Sequence, residues 1–328
     1  MEYTTLGQSD LEVSRIALGL WNISGGSDWD RTDREQAIET IHTAADEGIN
    51  FFDTAEVYGD GYSEEVLGEA LDGMDRDDAV VATKVYQNNL SYEDVKASCE
   101  ASLDRLGTDY VDVYYVHYQD PDTPFEETAR AFRELQEEGK IRYPAVSNTG
   151  VNDLETTLSE LDVVANQLPL NLLWRAIEFE VADACRDAGV DVVAYSPLGM
   201  GMLTGKYSSI DEYPEGRMRT RHFSSDRSVA RHGEDGVEDL LFETIQRVET
   251  ICDEYDRDVI EVALAWTLHQ EGVACAIAGA STPDHVRDNA AVVDVELSDD
   301  LLADLDEATT ELKEALGPNP DPWDHRYN

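Results

Sequence analysis

The chain has 328 residues, long enough to bury a sizeable core, and carries 71 acidic against 24 basic side chains, a net charge of −47. That surface repels nucleic acid and anionic membranes, and no stretch approaches the roughly 18 apolar residues of a membrane span. The four cysteines, Cys99, Cys185, Cys252 and Cys275, are far apart with no C-x-x-C pair, which argues against a disulfide framework or a zinc site.

In chain order, "YTTLGQSDLEVS" reads as a two-stranded hairpin around a turn. Eight short apolar runs then recur: "RIALGL" (15–20), "INFFDT" (49–54), "AVVATKV" (79–85), "VDVYYVH" (111–117), "YPAVSN" (143–148), "VVANQL" (163–168), "VDVVAYS" (190–196) and "ACAIAGA" (274–280). They are continuous rather than alternating, as expected of strands buried on both faces. Between them lie amphipathic helical patterns such as 33–48, 91–107 and 123–139, each opening on a Ser, Thr or Asp cap candidate and closing on Gly. Eight strand–helix units predict a single-domain (β/α)8 barrel rather than a doubly wound sheet, with the opening hairpin closing its bottom. Residues 198 to about 256 form a long excursion after strand seven, and 298–328 a helix with a Pro-rich tail. The opening has no apolar run behind a basic flank, so a soluble, cytoplasmic protein is expected. Its charge is spread over helical faces, a distribution that resembles proteins of salt-accumulating halophiles.

Chemistry in such barrels sits at the C-terminal ends of the strands. Those ends carry Asp53, with Tyr58 on the loop behind it, then Lys84 and His117. Singly, each reads as readily as a helix cap or a hydrogen-bonded core residue. Jointly, in register at one mouth, they read as a site. Lys84 has added weight, because only five lysines occur and an inward ammonium is costly unless paired, with Asp53 the natural partner. A tyrosine titrates near 10, and a neighbouring ammonium is expected to lower that value. His117 would orient a carbonyl oxygen. The set suits protonation of an oxygen that develops negative charge, and it lacks both an acyl-transfer nucleophile and metal-ligand spacing.

The chain resembles the aldo-keto reductases. The matching segments are "FFDTAEVYGDGYSEEVLGEAL", "VVATKV", "SLDRLGTDYVDVYYVHYQDPDTP", "LQEEGKIRYPAVSN", "YSPLGMGMLTGKY" and "IAGASTPDHVRDN", in the family's order from about residue 4 to 310. The branch is the one that holds bacterial sugar and aldehyde reductases and potassium-channel β-subunits. The resemblance implies that Asp53, Tyr58, Lys84 and His117 form the catalytic tetrad. It also implies hydride transfer from a nicotinamide cofactor, NADP(H) in preference to NAD(H), to a small carbonyl compound or, in reverse, from a sugar or alcohol. Ser147, Asn148 and Gln167 would hold the carboxamide, Tyr195 would stack on the ring, and Ser196 and Leu198 would strap the pyrophosphate. Gly279, Ser281, His285, Asp288 and Asn289 would meet the adenine side.

One departure concerns the 2′-phosphate. NADP-specific relatives usually carry a basic residue where this chain has His285, with Arg287 two positions on. The segment "RMRTRHFSSDRSVARH" (217–232) is the one basic island, and Arg217, Arg219 or Arg221 would hold that phosphate or an anionic substrate; the alternative is a loop paired with surface carboxylates. "GMGMLTG" (199–205) has the wrong spacing and context for a Rossmann fingerprint. Trp21, Tyr86, Tyr118 and Trp174, with Trp323 from the tail, are expected to shape the substrate pocket. Two rival readings are a cofactor-binding regulatory protein with slow turnover and a Schiff-base lyase that uses Lys84.

Overall fold

The computed structural model describes residues 1–25 and 31–323. Strands β1 (Tyr3–Thr5) and β2 (Glu12–Ser14) form the antiparallel hairpin. Eight parallel strands then close on themselves: β3 (Ile16–Gly19), β4 (Phe51–Asp53), β5 (Val80–Val85), β6 (Val111–Val116), β7 (Ile141–Ser147), β8 (Ala165–Pro169), β9 (Asp191–Tyr195) and β10 (Val273–Gly279), with β10 paired to both β9 and β3. The expected (β/α)8 barrel is therefore what forms, with strands close to those read from the sequence.

The hairpin stands at the N-terminal ends of the barrel strands. The Gly7 amide donates to Asp191 Oδ2 at 2.7 Å, and Ser14 N donates to Asn50 Oδ1 at 2.8 Å, just before β4. Gly7 has φ +52°, and a Cβ there would lie 2.1 Å from the Val164 carbonyl oxygen, so only glycine fits this turn. Leu6, Leu11 and Val13 plug the barrel floor against Phe51, Val80, Val113 and Ala165. A two-residue period divides each strand. Ala17, Phe51, Ala82, Val113, Tyr115, Ala145, Val193 and Cys275 face inward, while Ile16, Phe52, Val81, Tyr114, Val146, Val192 and Ala276 face the surrounding helices.

Helices α1 (Arg34–Asp46), α2 (Tyr62–Leu71), α3 (Tyr92–Leu106), α4 (Phe125–Glu137), α5 (Val151–Glu160) and α6 (Val181–Ala188) follow β3 to β8 in turn. Asp33 caps α1 by accepting from the amides of Glu35 and Gln36, and Ser91 caps α3 through Asp94 N, as the sequence suggested. Between α2 and α3, the fully buried Glu64 accepts from Arg105 Nε and from Thr83 Oγ1, both at 2.6 Å. Gly68 lets the helices approach, because a Cβ there would meet the Arg105 and Leu106 carbonyl oxygens at 2.7 and 2.8 Å.

The excursion after β9 consists of short 3-10 turns, irregular chain and helix α7 (Glu238–Glu254). Helices α8 (Val259–His269) and α9 (Pro283–Ala291) then flank β10, and the last helix, α10 (Asp299–Leu316), packs on α7. Buried Arg221 ties the excursion to the tail: Nε donates to Glu234 at 2.7 Å, and the two terminal nitrogens donate to the carbonyls of Asn319 and Leu316 at 3.1 and 2.9 Å. The Arg221 amide donates to the Pro322 carbonyl at 2.8 Å. This clamp brings Trp323 over the open end of the barrel. Among the described residues, no helix is long and apolar enough to cross a membrane, and no group of His, Cys, Asp or Glu could hold a metal ion.

Candidate active site

The inward positions 53, 84, 117, 147, 167, 195, 279 and 19 continue the interior parity of the eight strands as their last layer. All but Lys84, which lies buried behind Asp53 and Tyr58, line a cavity of about 1100 Å³ that also takes in residues of the excursion and tail. Six of the eight positions carry polar side chains and two are glycines, where the strands hand over to loops.

Lys84 is completely buried, and each of its three ammonium hydrogens has an acceptor. Nζ donates to Asp53 Oδ1 at 2.7 Å, to the Thr54 carbonyl at 2.7 Å and to the Tyr58 hydroxyl at 3.3 Å. An ammonium can only donate, so the Tyr58 oxygen accepts here and its own proton is left to point into the cavity. The second oxygen of Asp53 accepts from Gln167 Nε2 at 2.8 Å. The loop that carries Tyr58 is fixed by Thr54 Oγ1 donating to Ser63 Oγ at 2.7 Å and by Ser63 Oγ donating to the Leu20 carbonyl at 3.1 Å. Trp21 stacks on the Tyr58 ring at 6.2 Å between centroids. His117 presents its ring edge-on to Tyr58 and to Tyr86, at 5.9 and 5.8 Å, and stacks on Tyr118 at 5.0 Å.

Burial works to lower the pKa of Lys84, but the charges of Asp53 and Tyr58 outweigh it, and the ammonium is held above its ordinary range. A lysine so bound is not the neutral amine that a Schiff-base mechanism needs. Tyr58 corrects the expectation from sequence. Lys84 does pull its pKa down, yet burial of the phenol pushes it up by more, and the hydroxyl lies above its ordinary value of 10. Tyr58 is thus held as a neutral proton donor rather than poised near neutrality.

The neighbouring wall is a chain of hydrogen bonds. Ser147 Oγ donates to the Gln167 carbonyl at 2.9 Å, and Asn148 Nδ2 donates to Ser147 Oγ at 3.0 Å and to the His117 carbonyl at 3.2 Å. Tyr195 in turn donates from its hydroxyl to Asn148 Oδ1 at 2.8 Å. Asn148 and Ser196 both have φ of 54°, in the left-handed region that non-glycine residues seldom occupy. Ser196, Leu198, Gly279, Ser281, His285, Asp288 and Asn289 line the cavity with them, and Ser281 Oγ lies 3.5 Å from His285 Nδ1.

Two expectations do not hold. Trp174 is not in the pocket: the chain turns back between Asn171 and Trp174, which bond to each other, and the indole is buried edge-on to His222 at 5.1 Å under the Arg221 guanidinium. Arg221 is absorbed by its clamp, and Arg287 points away into ion pairs with Asp284 and Glu47. Arg217 and Arg219 do line the cavity. Residues to which sequence reasoning gave no role of their own are Asn22, Gln36, Lys206 and Arg231. Asn22, next to Trp21, has a buried Oδ1 with no hydrogen-bond partner among the described residues. Gln36 Nε2 donates to the Ser281 carbonyl at 2.6 Å and fixes the far end of the cleft. Adjacency to a strand end was the available signal for Asn22; none marked Gln36.

A long cleft with a polar wall, a buried amide oxygen with no partner among the described residues and basic side chains along its rim suits a dinucleotide at the mouth of a (β/α)8 barrel. Residues 15–310 match the model of the Aldo/keto reductase family, and the chain belongs to that family. It is 34% identical over 323 residues to the NADH-specific methylglyoxal reductase of Escherichia coli, covering 91% of this chain and 95% of that one. It is 33% identical to a putative voltage-gated potassium channel subunit beta of Schizosaccharomyces pombe, covering 92% and 91%. A crystal structure of an aldo-keto reductase from Klebsiella pneumoniae in complex with NADPH superposes with a TM-score of 0.73 at 30% identity, over 94% of this chain and 96% of that one. The protein is an enzyme of carbonyl oxidation–reduction.

Proposed function

We propose that this chain reduces an aldehyde or ketone with NADPH, with Tyr58 as the proton donor. The observation that carries the reading is the complete coordination of Lys84, which fixes the Tyr58 oxygen from behind and leaves its proton facing the cavity. A reduced nicotinamide bound in the cleft would supply the hydride for the carbonyl carbon. The carbonyl oxygen gains negative charge as this happens, and an alkoxide is basic enough to take the proton of a tyrosine whose pKa lies above 10. His117, edge-on to Tyr58, orients that oxygen. The Lys84 ammonium stabilises the phenolate left behind, and Asp53 with Gln167 holds the ammonium in place. In the reverse direction the same phenolate would accept the proton of an alcohol or sugar.

Ser147, Asn148 and Gln167 would hold the carboxamide, Tyr195 would stack on the nicotinamide, and Ser196, Leu198, Lys206 and Arg217 would meet the phosphates. Preference for NADPH rests on Ser281 and His285 at the adenine end, on basic side chains at the rim, and on the NADPH-bound neighbour. The acidic surface supports a salt-adapted cytoplasmic enzyme. The test is to follow nicotinamide absorbance in molar KCl with NADPH and then NADH, across aldehydes, ketones and sugars. Faster loss of NADPH with a carbonyl substrate is expected. Loss with NADH alone would overturn the cofactor assignment, and tight binding without turnover in either direction would overturn the activity.

A further inference from the structure

In a chain with 71 carboxylates, cations are expected to find carboxylate partners, and most do. Arg34 pairs with Glu69, Arg76 with Asp112, Lys96 with Glu134, Lys140 with Glu100 and Arg227 with Glu238. Others donate to carbonyls, and Arg130 lies over the Tyr92 ring. Among the described residues, Lys206 and Arg231 alone of the lysines and arginines make no hydrogen bond, ion pair or ring contact. Both line the cavity.

Their places differ. Lys206 lies on the loop after β9, beside Tyr207, which Arg217 also approaches at 3.5 Å. Arg231 acts on Tyr118, one of the aromatic side chains that line the cavity with Trp21, Tyr58, Tyr86, His117 and Trp323. Its charge is felt at the Tyr118 hydroxyl: burial and Asp321 push that phenol well above its ordinary pKa, and Arg231 works against them. The aromatic walls alone would select apolar or sugar-like carbonyl compounds. An unpaired guanidinium at their rim adds a fork of N–H donors suited to a planar anion. Asp321 is an opposing charge nearby, and its Oδ1 is occupied by the Trp323 amide at 2.9 Å.

We propose that Arg231 selects carbonyl substrates that carry an anionic group, a carboxylate or a phosphate, at the end remote from the carbonyl. The carbonyl would meet Tyr58 and His117 while the anion meets Arg231 at the mouth. A local cation is what such a substrate requires here, because a surface at −47 otherwise repels it. The inference rests on the reductase reading above.

The test compares pairs that differ in charge: 4-carboxybenzaldehyde against its methyl ester, and glyceraldehyde 3-phosphate against glyceraldehyde, with NADPH in molar KCl. We expect kcat/KM about tenfold higher for the anionic member of at least one pair, the scale of one charge-assisted contact at a partly open site. Whichever pair responds identifies the anion. Arg231→Gln removes the preference through KM with kcat held, Arg231→Lys restores part of it, and Asp321→Asn enlarges it. Arg231 is exposed, so its replacement should leave the fold intact. Binding of terephthalate, read by tryptophan fluorescence in wild type and Arg231→Gln, reports on the site without turnover. If neither aldehyde is reduced but terephthalate binds only with Arg231 present, the reductase reading fails and the anion site stands. Equal rates for both members of both pairs, unchanged by Arg231→Gln, overturn the proposal.

Discussion

Gln167 and Asp53 are joined across the barrel mouth, Nε2 of the amide donating to Oδ2 of the carboxylate at 2.8 Å. With Lys84 on Oδ1, this places Asp53 between two donors and leaves it one orientation. Gln167→Leu would strand Oδ2 in a buried site, a cost of about 1–3 kcal/mol. We expect kcat to fall about tenfold and the dissociation constant for NADPH to rise, because the amide also faces the cofactor cleft. Gln167→Glu should be worse than Leu, since two carboxylates would then meet. Steady-state kinetics with a fluorescence titration of NADPH separate the effects.

The raised pKa of Tyr58 sets the pH dependence. In the proposed mechanism reduction uses the neutral phenol, which persists through neutral pH and is lost only as pH passes above 10. With NADPH saturating, kcat for reduction should therefore stay level from about pH 6 to 9 and fall above that range. Oxidation of the alcohol needs the phenolate and should rise over the same alkaline window. A reduction rate that halves between pH 6 and 8 would contradict the assignment.

His222 links the excursion to the barrel and should make stability pH-dependent. Its Nε2 lies 3.0 Å from the Leu173 carbonyl, and its Nδ1 lies 2.9 Å from Thr220 Oγ1. Burial, with Arg221 and His232 adding to it, pushes its pKa down to about 4. The unfolded chain titrates near 6.5, so between 6.5 and 4 it binds more protons than the fold. The stabilisation is complete above pH 6.5 and is lost as pH falls to 4, by about 3 kcal/mol. His222→Gln removes the titrating ring while keeping an amide at the Nε2 end to face the Leu173 carbonyl, and should flatten this part of the curve, measured by urea unfolding in molar KCl at several pH values.

Trp323 lies parallel to Tyr195, with ring centroids 5.9 Å apart and 11° between planes, and edge-on to Trp21 at 6.3 Å. Arg221 holds the tail that delivers it. Arg221→Met should lower stability by about 2 kcal/mol, allowing for the half-open Glu234, and raise KM for carbonyl substrates more than it lowers kcat. Trp323→Ala should reproduce the KM effect without the loss of Tm. The comparison needs only thermal melts and steady-state rates.

Much of the fold and site was legible in the sequence. The eight strands announce themselves because both faces of each are buried, and Asp53, Lys84 and His117 stand out as polar residues at the ends of apolar runs. What escaped depended on distance along the chain. Gln167 finds Asp53 over 114 positions, and Trp174 is drawn from the mouth by His222 and Arg221 of a later loop. The direction of the Tyr58 shift was misread because charge is visible in a sequence and burial by an aromatic roof is not. Arg231 was counted in the basic island, but nothing local showed that it alone of the five arginines there would lack a partner among the described residues.

In the proposed mechanism Tyr58, backed by Lys84, is the group on which the reduction turns. The most direct measurement is the single-turnover rate of NADPH oxidation by wild type and Tyr58→Phe at saturating carbonyl substrate, with NADPH affinity measured in parallel. A loss of roughly 10²–10⁴-fold in rate at unchanged NADPH affinity is the predicted result. Equal rates in the two proteins would contradict it.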